Sequence, residues 1–155
     1  MKTLNNFLTE KLKLNKQSKI DEYSYHPKDK DELRSLLKQL LEKRGNNADL
    51  NDIDTSDITD MSWLFAKLDP HNIDISEWNV SNVENMFYMF YACKNFNSDL
   101  SKWNVSKVKY MHCMFWGCNK FTSDLSKWNV SKVEDMFRIF ASCTSLKNKP
   151  SWYKE

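Results

Sequence analysis

The chain has 155 residues, a net charge of +2, two glycines and three prolines. That length gives one domain with at most a small appendage, and so few glycines and prolines exclude a disordered or linker-rich protein. Charges after residue 50 nearly cancel, which excludes a general electrostatic grip on nucleic acid.

The N-terminus, Met1 to Lys11, has no apolar run of the kind an export signal needs, and the first cysteine is Cys93. No segment has the length and apolarity of a membrane span. The expectation is a cytoplasmic chain whose four cysteines are thiols rather than bridges.

Residues 1–48 read as an N-terminal helical cap. Leu4, Phe7, Leu8 and Leu12 fall at helical spacing. Asn15 to Lys19 is a polar connection. Glu22 to His26 sets Tyr23 and Tyr25 between polar residues, as a short extended segment does. Pro27 is expected to open a second helix, with Asp29, Asp31 and Glu32 near its positive end. Leu33, Leu36, Leu37, Leu40 and Leu41 make its apolar stripe, Lys43 and Arg44 fill its last turn, and Gly45 stops it. A lone helix of this length is marginal in water, so it should pack on the open end of the repeats downstream of it.

Those repeats occupy residues 49–155. Trp78, Trp103 and Trp128 each open Trp-Asn-Val-Ser, and Met86, Phe90 and Cys93 recur as Met111, Phe115 and Cys118, then as Met136, Phe140 and Cys143. The interval is 25 residues, the kind of fixed period that marks stacked units. A divergent first copy, with Ile58, Met61, Leu64, Phe65 and Leu68, makes four units starting near residues 49, 74, 99 and 124. Trp152 trails the last and is placed to lie over its open layer. Asp-Leu-Ser-Lys-Trp-Asn-Val-Ser reads as a short strand. Val83, Met86, Met89, Phe90 and Cys93 read as one face of a helix, with Ser81 and Glu84, and Ser131 and Glu134, as capping boxes. Asp54, Asn79, Asn104 and Asn129 would form a ladder bonding to backbone at the bend. The predicted fold is an α/β repeat: a short solenoid with a narrow parallel sheet and one helix per unit, capped by N-terminal helices.

The phrase Trp-Asn-Val-Ser-x-Val-x-x-Met-x-x-Met-Phe-x-x-Cys-x-x-Phe-x-x-Asp-Leu-Ser resembles the repeat of BspA-like leucine-rich repeat proteins, in the form abundant in Mycoplasma surface lipoproteins. The likeness covers about residues 49–148. It implies a leucine-rich-repeat solenoid that binds proteins, in members that are usually exported and adhesive. In its small size and missing export signal the chain also resembles genes of bacteriophages that infect Bacteroidota. That second likeness implies an inhibitor of a host enzyme or CRISPR-type defence complex, acting in the host cytoplasm.

Few residues suggest chemistry. Cys93, Cys118 and Cys143 close an apolar face and read as small hydrophobes. Cys113, off the period beside His112, lacks the ligand spacing of zinc and the geometry of a Cys–His nucleophile. Asp49, Asp74, Asp99 and Asp124 recur at turns, where turn hydrogen bonding explains them better than calcium does. No catalytic group, cofactor or metal is expected, and no small-molecule substrate.

Residues that break the repeat carry more. Ser62, Phe87, His112 and Phe137 share one position; Trp63, Tyr88, Cys113 and Arg138 the next; Ala66, Tyr91, Trp116 and Ala141 a third. Variable positions should face outward, and exposed Trp, Tyr and Arg dominate interface hot spots. The candidate protein-binding set is Trp63, Phe87, Tyr88, Tyr91, Tyr110, His112, Trp116, Phe137 and Arg138. The expected function is a non-enzymatic module that binds a protein or ribonucleoprotein. The alternatives are an adhesin fragment and an RNA-contacting protein, with Lys102, Lys107, Lys109, Lys120, Lys127 and Lys132 as its basic edge and Tyr110 and Trp116 as stacking surfaces.

Overall fold

Asp29, not Pro27, begins the helix. In the computed structural model, which describes Lys13 and residues 22–154, helix α1 spans Lys30–Arg44. The Asp29 carboxylate accepts from the backbone N–H groups of Asp31 and Glu32, which satisfies two of the free donors of the first turn. Gly45, at φ 84°, closes the other end by donating to the Leu41 carbonyl. The helix expected at Leu4 to Leu12 lies outside the described residues.

The expected α/β repeat is overturned. Among the described residues from 22 onward α1 is the one α-helix, and the repeats contain neither helix nor strand. Parallel contacts occur as isolated bridges, Asp60 to Asn85, Asn85 to Tyr110 and Tyr110 to Asp135, so there is no sheet. Each unit is instead a coil of successive β-turns.

The backbone at Tyr88 and Ala92 explains the missing helix. Their φ values are 53° and 59°, in the left-handed region that ends any right-handed helix. Met89 donates to Met86, Tyr91 to Tyr88 and Cys93 to Phe90, closing turns of four residues. A positive φ at the third residue of turns 86–89 and 90–93 is the mark of type II. Such turns aim their first and fourth residues inward, so apolar residues recur every third position. That spacing mimics one helical face. The same angles recur at Trp63, Cys113 and Arg138, and at Lys67, Gly117 and Ser142.

The expected strand also bends. Trp78 donates to Ile75, and the Asp74 carboxylate accepts from the N–H of Ser76 at 3.0 Å. With no helix to cap, the capping boxes are absent. Asn79 Oδ1 takes the Ser81 N–H at 3.1 Å, and the Glu84 N–H goes to the Thr59 carbonyl of the previous coil. Asn129, Ser131, Glu134 and Lys109 repeat the arrangement.

Backbone bonds join the coils in register. Met61 donates to Asn85, Met86 to Tyr110 and Met111 to Asp135, at 2.7–2.8 Å. Inside, like residues stack on like. The Trp78 and Trp103 indoles lie 6.4 Å apart and 2° from parallel. Phe65, Phe90, Phe115 and Phe140 form a second column, with centroids 5.1–5.8 Å apart. Each indole N–H is satisfied by a carbonyl of the coil before: Trp78 by Leu50, Trp103 by Ile75, Trp128 by Leu100. Trp152 continues the column, stacked on Trp128 and bonded to Leu125. A buried indole needs such a partner, and each bond contributes roughly 1 kcal/mol net.

Helix α1 sits on the first coil. Leu33, Leu37, Leu40 and Leu41 are buried in the same core as the repeats. The Arg34 guanidinium donates to the carbonyls of Trp63, Leu64 and Ala66, and Lys30 Nζ to Asp60 and Ser62. Arg44 clamps Asp52 with two bonds of 2.9 Å. Tyr25 adds a parallel bridge to Ile53.

Gly117→Ala is expected to cost about 1 kcal/mol in a urea melt, because alanine is strained at positive φ. An added Cβ would meet ordinary contact, 3.5 Å from Ala92 Cα, so the loss is conformational rather than steric.

Candidate functional site

The type II turns that bury Met86, Met89 and Phe90 push Phe87, Tyr88 and Tyr91 outward. Repetition aligns these positions along one side of the stack. Trp63 lies flat on Tyr88, centroids 4.3 Å apart and 1° from parallel. Tyr88 meets Tyr91 at 4.9 Å and Phe87 at 4.4 Å, and Tyr91 stacks on Trp116 at 4.7 Å. His112 sits among Phe87, Tyr88 and Phe137. The Arg138 guanidinium lies 5.0 Å from the centre of the Phe137 ring. Eight of the nine residues singled out from the sequence thus form one continuous aromatic stripe.

Tyr110 is the ninth and lies apart from these ring contacts. It occupies the bridged position held elsewhere by Asp60, Asn85 and Asp135. Those three side chains accept the N–H of Ser62, Phe87 and Phe137, two residues on. Tyrosine cannot do that. Tyr110 is instead 42% exposed, as is Trp63, while Phe137 reaches 60%. Cys113, which shares its repeat position with exposed Trp63, is buried.

Asp135 was missed by sequence reasoning. Its second oxygen lies 3.2 Å from His112 Nδ1 and anchors that ring within the stripe. The signal was present: Asp135 stands 25 residues after Tyr110 and 50 after Asn85. The Cys113 thiol beside Tyr88, with some desolvation, holds the Tyr88 phenol above its ordinary value.

Thiols and carboxylates elsewhere are committed to structure. Cys93, Cys118 and Cys143 donate to the carbonyls of Phe65, Phe90 and Phe115. Burial pushes the Cys93 thiol up to about 12 and that of Cys143 to about 11, and raises Cys118 further. Asp74, Asp99 and Asp124 accept from Ser76, Ser101 and Ser126 at 2.9–3.0 Å, and these bonds hold their carboxyls below the usual range. Among the described residues, no three His, Cys, Asp or Glu side chains gather as a metal site requires.

Fold and stripe together define a class: a stack of turn-built coils with one aromatic side. The family described as "Mycoplasma protein of unknown function, DUF285" matches residues 34–153, and the chain belongs to it. That agrees with the Mycoplasma, BspA-like character of the repeat phrase. No curated protein and no solved structure matches the chain.

The Cys93 thiol gives a pH test. It ionises near 9.0 when unfolded but at about 12 in the fold. As pH rises the unfolded state sheds this proton first, so the stability it contributes is full below pH 9 and lost towards pH 12. The urea midpoint should fall across that window, and fall less in Cys93→Ala.

Proposed function

We propose that the protein is a non-enzymatic module that binds another protein through the aromatic stripe. The observation that carries this is continuity: Trp63, Phe87, Tyr88, Tyr91, His112, Trp116, Phe137 and Arg138 touch one another across four coils while no repeat-defining core residue is spent on them. Rings already packed on a rigid frame lose little side-chain freedom on binding, which favours affinity.

Ring stacking within the stripe supports a protein partner over RNA. Trp116 has one face on Tyr91, and Trp63 has one on Tyr88, so these pairs offer edges more than open platforms for bases. Three of the six lysines expected to hold phosphates have partners of their own. Lys109 pairs with Glu84 at 2.7 Å, Lys107 with Asn82 at 2.7 Å and Lys102 with Glu77 at 3.5 Å. The finer reading, an inhibitor that covers a host enzyme or a CRISPR-type complex in the host cytoplasm, draws its support from the resemblance to phage genes.

Affinity capture from host lysate tests the surface. The triple variant Tyr88→Ala, Tyr91→Ala, Trp116→Ala should lose a specific partner, since each anchor of this kind is worth about 2 kcal/mol or more. Equal capture by a variant that still melts cooperatively would remove the stripe from the binding surface.

A further inference from the structure

Turn chemistry leaves one part of the repeat phrase unexplained. Asn79, Asn104 and Asn129 each stand two residues before a serine, with valine between, so Asn-Val-Ser occurs three times at the 25-residue interval. All three asparagines are exposed. Asn79 and Asn104 belong to coils with a neighbour on both faces, so their exposure is a property of the side of the stack. In each case Oδ1 accepts the serine N–H: Ser81 at 3.1 Å, Ser106 at 3.2 Å and Ser131 at 3.1 Å.

The turn needs only that oxygen. Asp54 supplies it to Ser56, at 3.0 Å, at the same position of the first coil. At the neighbouring corner Asp74, Asp99 and Asp124 do the same for Ser76, Ser101 and Ser126 at 2.9–3.0 Å. A carboxylate therefore serves the bend as well as an amide does, and what asparagine adds is its Nδ2 group. None of the three Nδ2 groups has an acceptor among the described residues. At Asn79 the Ser81 hydroxyl also donates to Oδ1, at 2.7 Å. A donor there draws electron density from the amide and eases loss of an Nδ2 proton, which an amide nitrogen must lose to become a nucleophile. Asn-x-Ser, with x other than proline, is the acceptor pattern for a sugar on asparagine.

We propose that Asn79, Asn104 and Asn129 are glycosylation sites, each taking one hexose from a nucleotide-activated sugar. Nδ2 forms a bond to the anomeric carbon of the sugar. The bond from that carbon to the phosphate oxygen breaks, and its electron pair leaves with the nucleoside diphosphate. The Nδ2 proton passes to a base of the transferase. Coil spacing sets the size of the product. Backbone-paired segments lie about 4.8 Å apart, which gives each layer room for one pyranose ring but crowds branched chains on three neighbours. The three asparagines take no part in the ring contacts of the aromatic stripe, so the inference stands apart from the binding reading.

Peptide mass spectrometry of the full chain, isolated from the cells that make it, tests this. Each of the three asparagines should carry one hexose. Asn85 should carry none, because its second neighbour is Phe87 and offers no hydroxyl. The triple variant Ser81→Ala, Ser106→Ala, Ser131→Ala keeps every asparagine and the backbone N–H that its oxygen holds, yet should lose the sugars. Asn79→Asp with Asn104→Asp and Asn129→Asp should also carry none and still melt cooperatively, since Asp54 makes the same turn. The Tyr88→Ala, Tyr91→Ala, Trp116→Ala variant should carry the same sugars as the parent chain, which separates this result from that of the stripe. Unmodified asparagine at all three positions would overturn the proposal, as would hexose retained in the serine variant. One large glycan on a single asparagine would overturn it too, since it breaks the one-ring-per-coil arrangement.

Discussion

The hydrogen bonds from Met61 to Asn85, Met86 to Tyr110 and Met111 to Asp135 set the register of the whole stack. Once backbone groups pair with the neighbouring coil, they are unavailable for the i to i−4 bonds of a helix. The same register brings Trp103 over Trp78 and Trp152 over Trp128, and each thiol under a carbonyl of the preceding coil. Identical residues then meet identical residues, which is why the sequence can repeat so closely. Each added coil buries the face that its predecessor leaves open.

That arrangement needs a sharply folded perimeter, and left-handed residues provide it. Among the described residues, eight non-glycine residues have positive φ, including Trp63, Tyr88, Cys113 and Arg138 at one repeat position. Each costs roughly 1–2 kcal/mol relative to an ordinary conformation. The core and the bonds between coils offset this. At three of these corners, Trp63, Tyr88 and Arg138, the side chain joins the stripe, so the geometry that breaks the helix also displays it, while Cys113 at the fourth is buried. Stability and display arise from one turn.

Much of this was legible in the residues. The period, the four units, the inward tryptophans, methionines and thiols, and the stop at Gly45 follow from spacing and turn chemistry. The helical reading of Val83 to Cys93 failed because inward residues at spacings of three, three, one and three suit consecutive type II turns as well as a helix. Glycine would have marked those turns, and it stands only at Gly117; Tyr88, Ala92 and Ser142 hide the same conformation behind ordinary side chains. The aromatic cluster was found by looking for residues that depart from the repeat. Its link to Asp135 was not, since Asp135 departs from the repeat less visibly than Tyr110 does.

Scalar coupling across hydrogen bonds, measured by a long-range HNCO experiment, tests the stacked-turn architecture most directly. The Met86 amide nitrogen should couple to the Tyr110 carbonyl carbon, and that of Met111 to Asp135. Coupling of Met86 to the Asn82 carbonyl instead would restore a helix in each unit and contradict the account.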